Sequence, residues 1–134
     1  MTRLTSLFRD RGRPFLSAVV TAATLLAAGT AAASPLAGDP ARGQALYGVC
    51  MSCHSLDDND VGPKHRGVVG RKAGTVPGYH YSAALASSGL VWTPANLDRW
   101  LSGPQALVPG AKMFFSISDA QKRADIIAYL ATQN

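Results

Sequence analysis

The feature that most constrains this chain is a C-x-x-C-H pentapeptide, which runs from Cys50 to Cys53 and ends at His54. Cys50 and Cys53 are the only two cysteines among the 134 residues. Side chains three residues apart on a helical turn lie on the same side, so the two sulfurs are expected to face one way. His54 follows directly. The spacing therefore predicts two thiols next to an imidazole on a single turn.

This pattern favours covalent haem attachment, because C-x-x-C-H is the attachment motif of c-type haem. Both sulfurs can add to the vinyl groups along one porphyrin edge, while His54 binds the iron. Three alternatives stay open. A thioredoxin-like redox pair belongs in a βαβ unit, but no strand pattern precedes Cys50. A zinc site needs two more ligands, and the remaining histidines, His65 and His80, are poorly spaced; a disulfide over so short a loop would be strained.

The first 33 residues have the pattern of a secretory signal peptide. Four arginines precede an apolar run over residues 15–28, and an A-x-A cleavage pattern follows at residues 31–33. The run is shorter than the roughly 20 residues that span a bilayer, although an uncleaved anchor stays open. We therefore predict a cleaved leader over residues 1–33, one domain over residues 34–134 and export to the periplasm, with no stable membrane insertion after cleavage.

Charge does not indicate nucleic-acid binding. The whole chain has a formal net charge of +5, but the predicted leader holds four of the 13 basic and one of the 8 acidic residues, which leaves +2 on residues 34–134. No basic stripe with interleaved aromatic residues appears. About 100 residues make one small domain with a modest core, and a haem would supply apolar material for that core. We expect a monomer.

Cap residues predict the first helices. Asp39 followed by Pro40 fits a helix start, and that helix runs toward the cysteine motif. A second start of the same kind is Thr93 followed by Pro94. Between them, residues 82–88 fit a short helix that ends at a glycine. These signals predict short helices joined by turns.

The segment over residues 55–78 is rich in Gly, Pro, Asp and Asn and is predicted to be a loop. The last helix has the strongest pattern. Ser118 and Gln121 fit a capping box, S-x-x-Q, and an apolar face follows. That face consists of Ala120, Ala124, Ile127, Ala128 and Ala131. The chain is therefore predicted to be an all-α domain of four or five short helices.

A second iron ligand opposite His54 is predicted in the late loop. Met113 is the only methionine after the cysteine motif, and a thioether on iron raises the reduction potential. Taken alone, a methionine on a loop is more often core filler, here beside two phenylalanines. With C-x-x-C-H upstream, ligation is the better interpretation. His65 and His80 are weaker candidates because neither lies in a comparable late loop.

The ordered set of motifs resembles the class I cytochromes c, small one-haem proteins of bacteria and mitochondria, over residues 38–132. Gly43 and Tyr47 are similar to the family's glycine and aromatic residue where the first and last helices cross, and Tyr129 is similar to the partner on the last helix. The resemblance implies the all-α cytochrome c fold, with short helices wrapped around one covalently attached haem c.

The same resemblance implies roles for residues outside C-x-x-C-H. In the segment Gly62-Pro63, the carbonyl of Pro63 would accept a hydrogen bond from the proximal imidazole and orient it. Arg71, Tyr81 and Trp92 would bond or compensate the haem propionates. Phe115, two residues after the predicted ligand Met113, would shield the haem edge.

Two groups of residues depart from the family pattern. His65 stands where the family usually has a leucine near the haem. The ring of lysines around the exposed haem edge is reduced, because Val49, Gln105 and Ala106 replace lysines there, whereas Lys112 is kept. We therefore expect docking to depend less on charge than in the mitochondrial proteins.

The predicted function is one-electron transfer by a single haem cycling between Fe(II) and Fe(III), without catalysis on a substrate. Redox proteins are the expected donors and acceptors: a cytochrome bc complex, a dehydrogenase, a terminal oxidase or a reaction centre. Two alternatives stay open. In the first, the chain is a subunit permanently docked to a dehydrogenase or oxidase. In the second, it is a haem enzyme or gas sensor with an open iron site.

Overall fold

The computed structural model describes residues 36–134, so the predicted leader over residues 1–33 lies outside the described residues. The helices in that range are α1 (Pro40–Leu46), α2 (Ala83–Ala86), α3 (Pro94–Ser102), α4 (Pro104–Leu107) and α5 (Ala120–Ala131), and a 3-10 turn (Tyr47–Val49) extends α1. Residues 36–134 contain no strand beyond an isolated bridge between Lys72 and Val91. The all-α prediction is confirmed. None of the helices described here combines the length and the apolar character needed to cross a bilayer.

Both predicted cap-plus-proline starts are present. The Asp39 carboxylate accepts hydrogen bonds from the backbone N–H of Ala41 at 2.8 Å and of Arg42 at 3.1 Å. The Thr93 hydroxyl accepts one from Asn96 at 3.2 Å. In each helix a proline follows the cap, where its missing N–H costs no helical hydrogen bond. Local sequence chemistry therefore sets where α1 and α3 begin.

Two helices differ from the prediction. Helix α2 is shorter than residues 82–88, because Ser82 is its N-cap and the chain leaves the helix at Ser87. Helix α4 was not predicted: its four residues, which start at Pro104, are too few to show a period. The segment over residues 55–78 has no helix, as expected for a loop.

The capping box predicted for α5 is wrong. Asp119, and not Ser118, is the N-cap, and its carboxylate accepts a hydrogen bond from Lys122 at 3.0 Å. The carbonyl of Ser118 instead accepts a hydrogen bond from the guanidinium of Arg123 at 2.8 Å. Gln121 turns away from the cap and donates to the carbonyl of Ala37 at 2.9 Å. Asp119, itself a preferred N-cap residue, therefore takes the cap position, and the helix begins one residue later than predicted.

Helices α1 and α5 cross at Gly43. A Cβ atom on Gly43 would lie 1.9 Å from the carbonyl oxygen of Asp125 and 2.8 Å from the Cβ of Tyr129. Only a residue without a side chain permits such an approach. Beside this contact, the rings of Tyr47 and Tyr129 pack with centroids 5.2 Å apart. The crossing predicted from the resemblance is therefore present.

An ion pair joins the same two helices. The Arg42 guanidinium donates two hydrogen bonds of 2.9 Å to the Asp125 carboxylate, which is 2% exposed. Gln121 and the backbone N–H of Asp39 also donate to this carboxylate, at 3.0 and 2.8 Å. These bonds, chiefly the one from Arg42, hold the pKa of Asp125 well below its usual range. The sequence did not predict this pair, since its members lie far apart in the chain.

Candidate cofactor-binding site

A cavity of about 470 Å³ lies between the helices and the long loop. Its volume is in the range of about 300–1,000 Å³ that is typical of small-molecule and cofactor sites. The structure brings all of the site residues named from the sequence to its wall. These are Cys50, Cys53, His54, Pro63, Arg71, Tyr81, Trp92, Met113 and Phe115.

The cysteine motif forms a single turn at the end of the 3-10 segment. The backbone N–H groups of Cys53 and His54 both donate to the carbonyl of Cys50, at 3.1 and 2.9 Å. Both thiols are free, and Cys50 is half-buried while Cys53 is exposed. Burial raises the pKa of the Cys50 thiol to about 11, so that thiol is protonated at neutral pH. The turn therefore offers two free thiols side by side on the cavity wall.

The ring of His54 is oriented by the next loop. Its Nδ1 lies 2.7 Å from the carbonyl oxygen of Pro63. Because a carbonyl only accepts, Nδ1 carries the proton and the lone pair of Nε2 is left for a metal. Burial lowers the pKa of His54, which also favours the neutral ring. A Cβ on Gly62 would lie 2.1 Å from the ring, so glycine is required for this approach.

His65 stacks on His54, a contact that sequence reasoning missed. The two ring centroids are 4.0 Å apart with planes 20° from parallel. The Nδ1 of His65 lies 3.0 Å from the hydroxyl oxygen of Tyr47. Burial, followed by the neighbouring His54, lowers the pKa of His65 to about 3. His65 is therefore a neutral ring stacked against the predicted proximal ligand.

Met113 contributes its half-buried side chain to the cavity wall from the loop after α4. The other competitor for its role, His80, is exposed and is not among the residues that line the cavity. The carbonyl of His80 instead accepts a hydrogen bond from the ammonium group of Lys112 at 2.5 Å. Phe115 lies at the rim with 49% of its surface exposed. Met113 is therefore the better-placed candidate for a second axial ligand.

Polar groups gather on another part of the wall. Arg71 donates to the carbonyls of Arg66 and Lys64, both at 2.9 Å. The Tyr81 hydroxyl accepts a hydrogen bond of 3.3 Å from the backbone of Val76, so its own O–H remains to donate. Trp92 is buried. These groups provide a cation and hydrogen-bond donors for an anionic part of a ligand.

This donor set fits a covalently held haem. Two thiols on one turn, an imidazole with a free Nε2 and a thioether share one largely apolar cavity. The alternatives fit less well. Across the described range of the chain no group of three or more His, Cys, Asp or Glu side chains is placed to hold a metal ion. Nor does that range contain the strands of a βαβ unit.

Comparison with known proteins identifies the family. The model of the family described as Cytochrome c matches residues 40–134. Cytochrome c2 from Rhodopila globiformis is 50% identical over 99 residues, which cover 71% of this chain and 93% of that protein. Cytochrome c2 from Rhodomicrobium vannielii is 47% identical over 102 residues, which cover 73% of this chain and 82% of that protein.

Solved structures agree with the sequence matches. The structure of cytochrome cH from Methylobacterium extorquens is 50% identical, has a TM-score of 0.69 and covers 71% of this chain and 99% of its own. Cytochrome c2 from Rhodospirillum centenum is 38% identical, also with a TM-score of 0.69, and covers 72% of this chain and 99% of its own. The fold predicted from the resemblance is confirmed.

Proposed function

This chain belongs to the class I cytochrome c family and is an electron-transfer protein with covalently attached haem c, and from that premise we propose that it is a periplasmic carrier whose iron is bound by His54 and Met113. One observation carries the proposal. His54 and Met113, from distant parts of the chain, line the same cavity as both cysteines. When bound, haem supplies the one-electron Fe(II)/Fe(III) couple.

The chain's own residues then set the properties of that couple. Cys50 and Cys53 would hold the haem through thioether bonds. Pro63 fixes the orientation of the His54 ring and strengthens it as a donor. The Met113 sulfur is a soft ligand that favours Fe(II), so the potential is raised relative to a second imidazole.

Other wall residues handle the charged and exposed parts of the haem. Arg71 and Tyr81 are placed to donate to the propionates, which are costly to bury without partners. Phe115 covers part of the cavity mouth and limits water access.

The relatives named cytochrome c2 support the proposed location and partners. We predict export by the leader over residues 1–33 and exchange of electrons with other redox proteins: a cytochrome bc complex, a dehydrogenase, a terminal oxidase or a reaction centre. Since exposed apolar side chains lie at the rim of the cavity mouth, docking of these redox partners is expected to depend more on the fit of apolar surfaces than on charge. Val49 is 51% and Phe114 78% exposed in that rim.

The same rim favours one second candidate, a subunit that stays docked to a dehydrogenase or oxidase. Size-exclusion chromatography of the native exported protein separates the two functions. A free carrier elutes as a small monomer at all working concentrations. Co-elution with a larger redox complex that survives dilution and high salt would instead establish the permanent subunit.

Carbon monoxide binding tests the proposed ligation. The reduced wild-type holoprotein is expected to bind carbon monoxide slowly, because Met113 occupies the sixth position. The variant Met113→Ala should bind it rapidly and show a lower midpoint potential. Met51→Ala, which removes the exposed methionine of the cysteine motif, is the matched control and should behave as wild type. Rapid binding by the wild type would favour the open-site haem enzyme or gas sensor.

A further inference from the structure

The loop that carries Met113 is held by few backbone contacts. Over residues 109–116, within the described part of the chain, one hydrogen bond links two backbone groups, from Ala111 N–H to the carbonyl of Val108 at 3.1 Å. The two residues that follow Met113 are exposed phenylalanines, so little core packing holds this side of the loop. Side-chain hydrogen bonds must therefore supply much of its order.

Gln105 supplies three of these bonds. Its Nε2 donates to the carbonyls of Ala111 at 2.7 Å and of Met113 at 2.8 Å. Its Oε1 accepts a hydrogen bond from the backbone N–H of Gly110 at 3.2 Å. The side chain is half-buried and projects from the short helix α4. One amide thus contacts the loop within its turn, at Gly110 and Ala111, and after it, at Met113.

This pattern requires an amide. A primary amide has two N–H donors and a carbonyl acceptor, and Gln105 uses all of these functions on the loop. A lysine, which the resemblance implies at this position in related proteins, donates but does not accept. A glutamate accepts but would place its carboxylate against two carbonyl oxygens. The replacement of lysine by glutamine therefore changes how the loop is fastened as well as the surface charge.

We propose that Gln105 is a positioning residue that fastens the Gly110–Met113 backbone and so keeps the Met113 sulfur on the haem iron. The inference rests on the proposed function, because it needs Met113 as the ligand. Gln105 does not touch the iron itself. Its effect is on how often the loop opens, and hence on how readily another ligand replaces the methionine.

Imidazole binding to the ferric holoprotein measures this opening. At high imidazole concentration the binding rate reaches a plateau that equals the rate at which Met113 leaves. The isosteric variants Gln105→Met and Gln105→Glu are expected to raise the plateau at least roughly tenfold, the equivalent of about one net hydrogen bond. Without imidazole, both should keep the sulfur-to-iron band at neutral pH, because the methionine is still present.

Two controls separate positioning from general effects. Gln133→Glu makes the same change in charge near the C-terminus, where, among the described residues, the side chain bonds only its neighbour Thr132. Asp125→Asn weakens the remote α1–α5 contact and so lowers global stability. Both should keep the wild-type plateau. Equal acceleration in Asp125→Asn and in the Gln105 variants would show that the rate follows global stability, and this would overturn the proposal. A wild-type plateau in both Gln105 variants would also overturn it.

Met113→Ala separates a failure of this inference from a failure of the proposed function. If Met113 is the ligand, imidazole binding to Met113→Ala no longer waits for Met113 to leave. The binding rate then rises past the wild-type plateau instead of levelling off there. Should it do so while both Gln105 variants match the wild type, the role of Gln105 is wrong and the His54–Met113 ligation stands. If Met113→Ala itself matches the wild type, the ligation is wrong and the Gln105 role falls with it.

Discussion

Two regions of the domain, the crossing of α1 and α5 and the loop around Met113, are held in place in different ways. At the α1–α5 crossing, backbones touch at Gly43, and a bidentate ion pair and two tyrosine rings lie beside that contact. At the loop around Met113, a glutamine amide and the Lys112 ammonium group supply the bonds, and the phenylalanines after Met113 face solvent. The first region is fixed by close packing, whereas the second is fastened by a few replaceable contacts.

This difference separates two tasks of an electron carrier. The crossing keeps the cysteine turn and His54 in place, because Tyr47 extends directly from α1 and contacts His65, which stacks on His54. The late loop carries Met113, the proposed iron ligand, which an exogenous base would displace if the loop opened. Stability is therefore expected to depend on the crossing, and ligand exchange on the loop.

The largest expected effect is at the close contact of the crossing. Gly43→Ala places a methyl group 1.9 Å from the Asp125 carbonyl oxygen, so the helices must move apart. Overpacking of this kind costs about 3 kcal/mol in the free energy of unfolding. Denaturant titration of the holoprotein measures the loss. Gly48→Ala is the control, since within residues 36–134 no atom beyond its chain neighbours lies within 4 Å of the new methyl. Equal losses in the two variants would contradict the packing argument.

A smaller effect is expected where the crossing meets the site. Tyr47→Phe leaves the buried Nδ1 of His65 without its hydroxyl partner and should cost about 1–2 kcal/mol. His65→Leu leaves the Tyr47 hydroxyl without its ring partner. The double variant should lose less than the sum of the two single losses, because neither polar group is left alone. Strict additivity in the denaturation data would show that the hydrogen bond does not link the regions.

Much of this arrangement was accessible from the sequence, because it depends on local chemistry. C-x-x-C-H identified the attachment turn, and Asp39 and Thr93 marked two helix starts. At α5 the adjacent residues Ser118 and Asp119 both favour the N-cap position, and the carboxylate of Asp119 takes it. Other features depend on residues that the fold brings together from distant parts of the chain.

The missed residues have the same explanation. Asp125 reads as a solvent-facing position on α5, and only the approach of Arg42 from the other end of the chain makes it a buried partner. From the sequence, Gln105 is interpreted only as the replacement of a surface lysine. Its three hydrogen bonds to the backbone were missed because they depend on how the loop folds back. The resemblance placed His65 near the haem, but its stacking on His54 was missed because it depends on how the long loop folds back onto the cysteine turn.

The ion pair gives the smallest of these effects at neutral pH. Asp125→Asn keeps the size of the side chain and one acceptor oxygen, and Arg42 keeps its contact with Asp39 at 3.2 Å. Because folding lowers the pKa of Asp125 below its ordinary value of 3.8, its carboxylate stabilises the fold above about pH 4, and this contribution is lost as the pH falls further.

The difference in unfolding free energy between wild type and Asp125→Asn should therefore be constant near neutral pH and shrink in acid. Denaturant titrations at a series of pH values measure it. The exposed Asp58 provides the control Asp58→Asn. A difference that grows as the pH falls would contradict the assigned sign.

The most direct test of the account is the absorption spectrum of the ferric holoprotein at neutral pH, compared between wild type and Met113→Ala. A sulfur-to-iron charge-transfer band in the red is expected in the wild type and should be absent from the variant, while the covalent haem remains in both. A band of undiminished intensity in Met113→Ala, or its absence from the wild type, would contradict ligation of the iron by His54 and Met113.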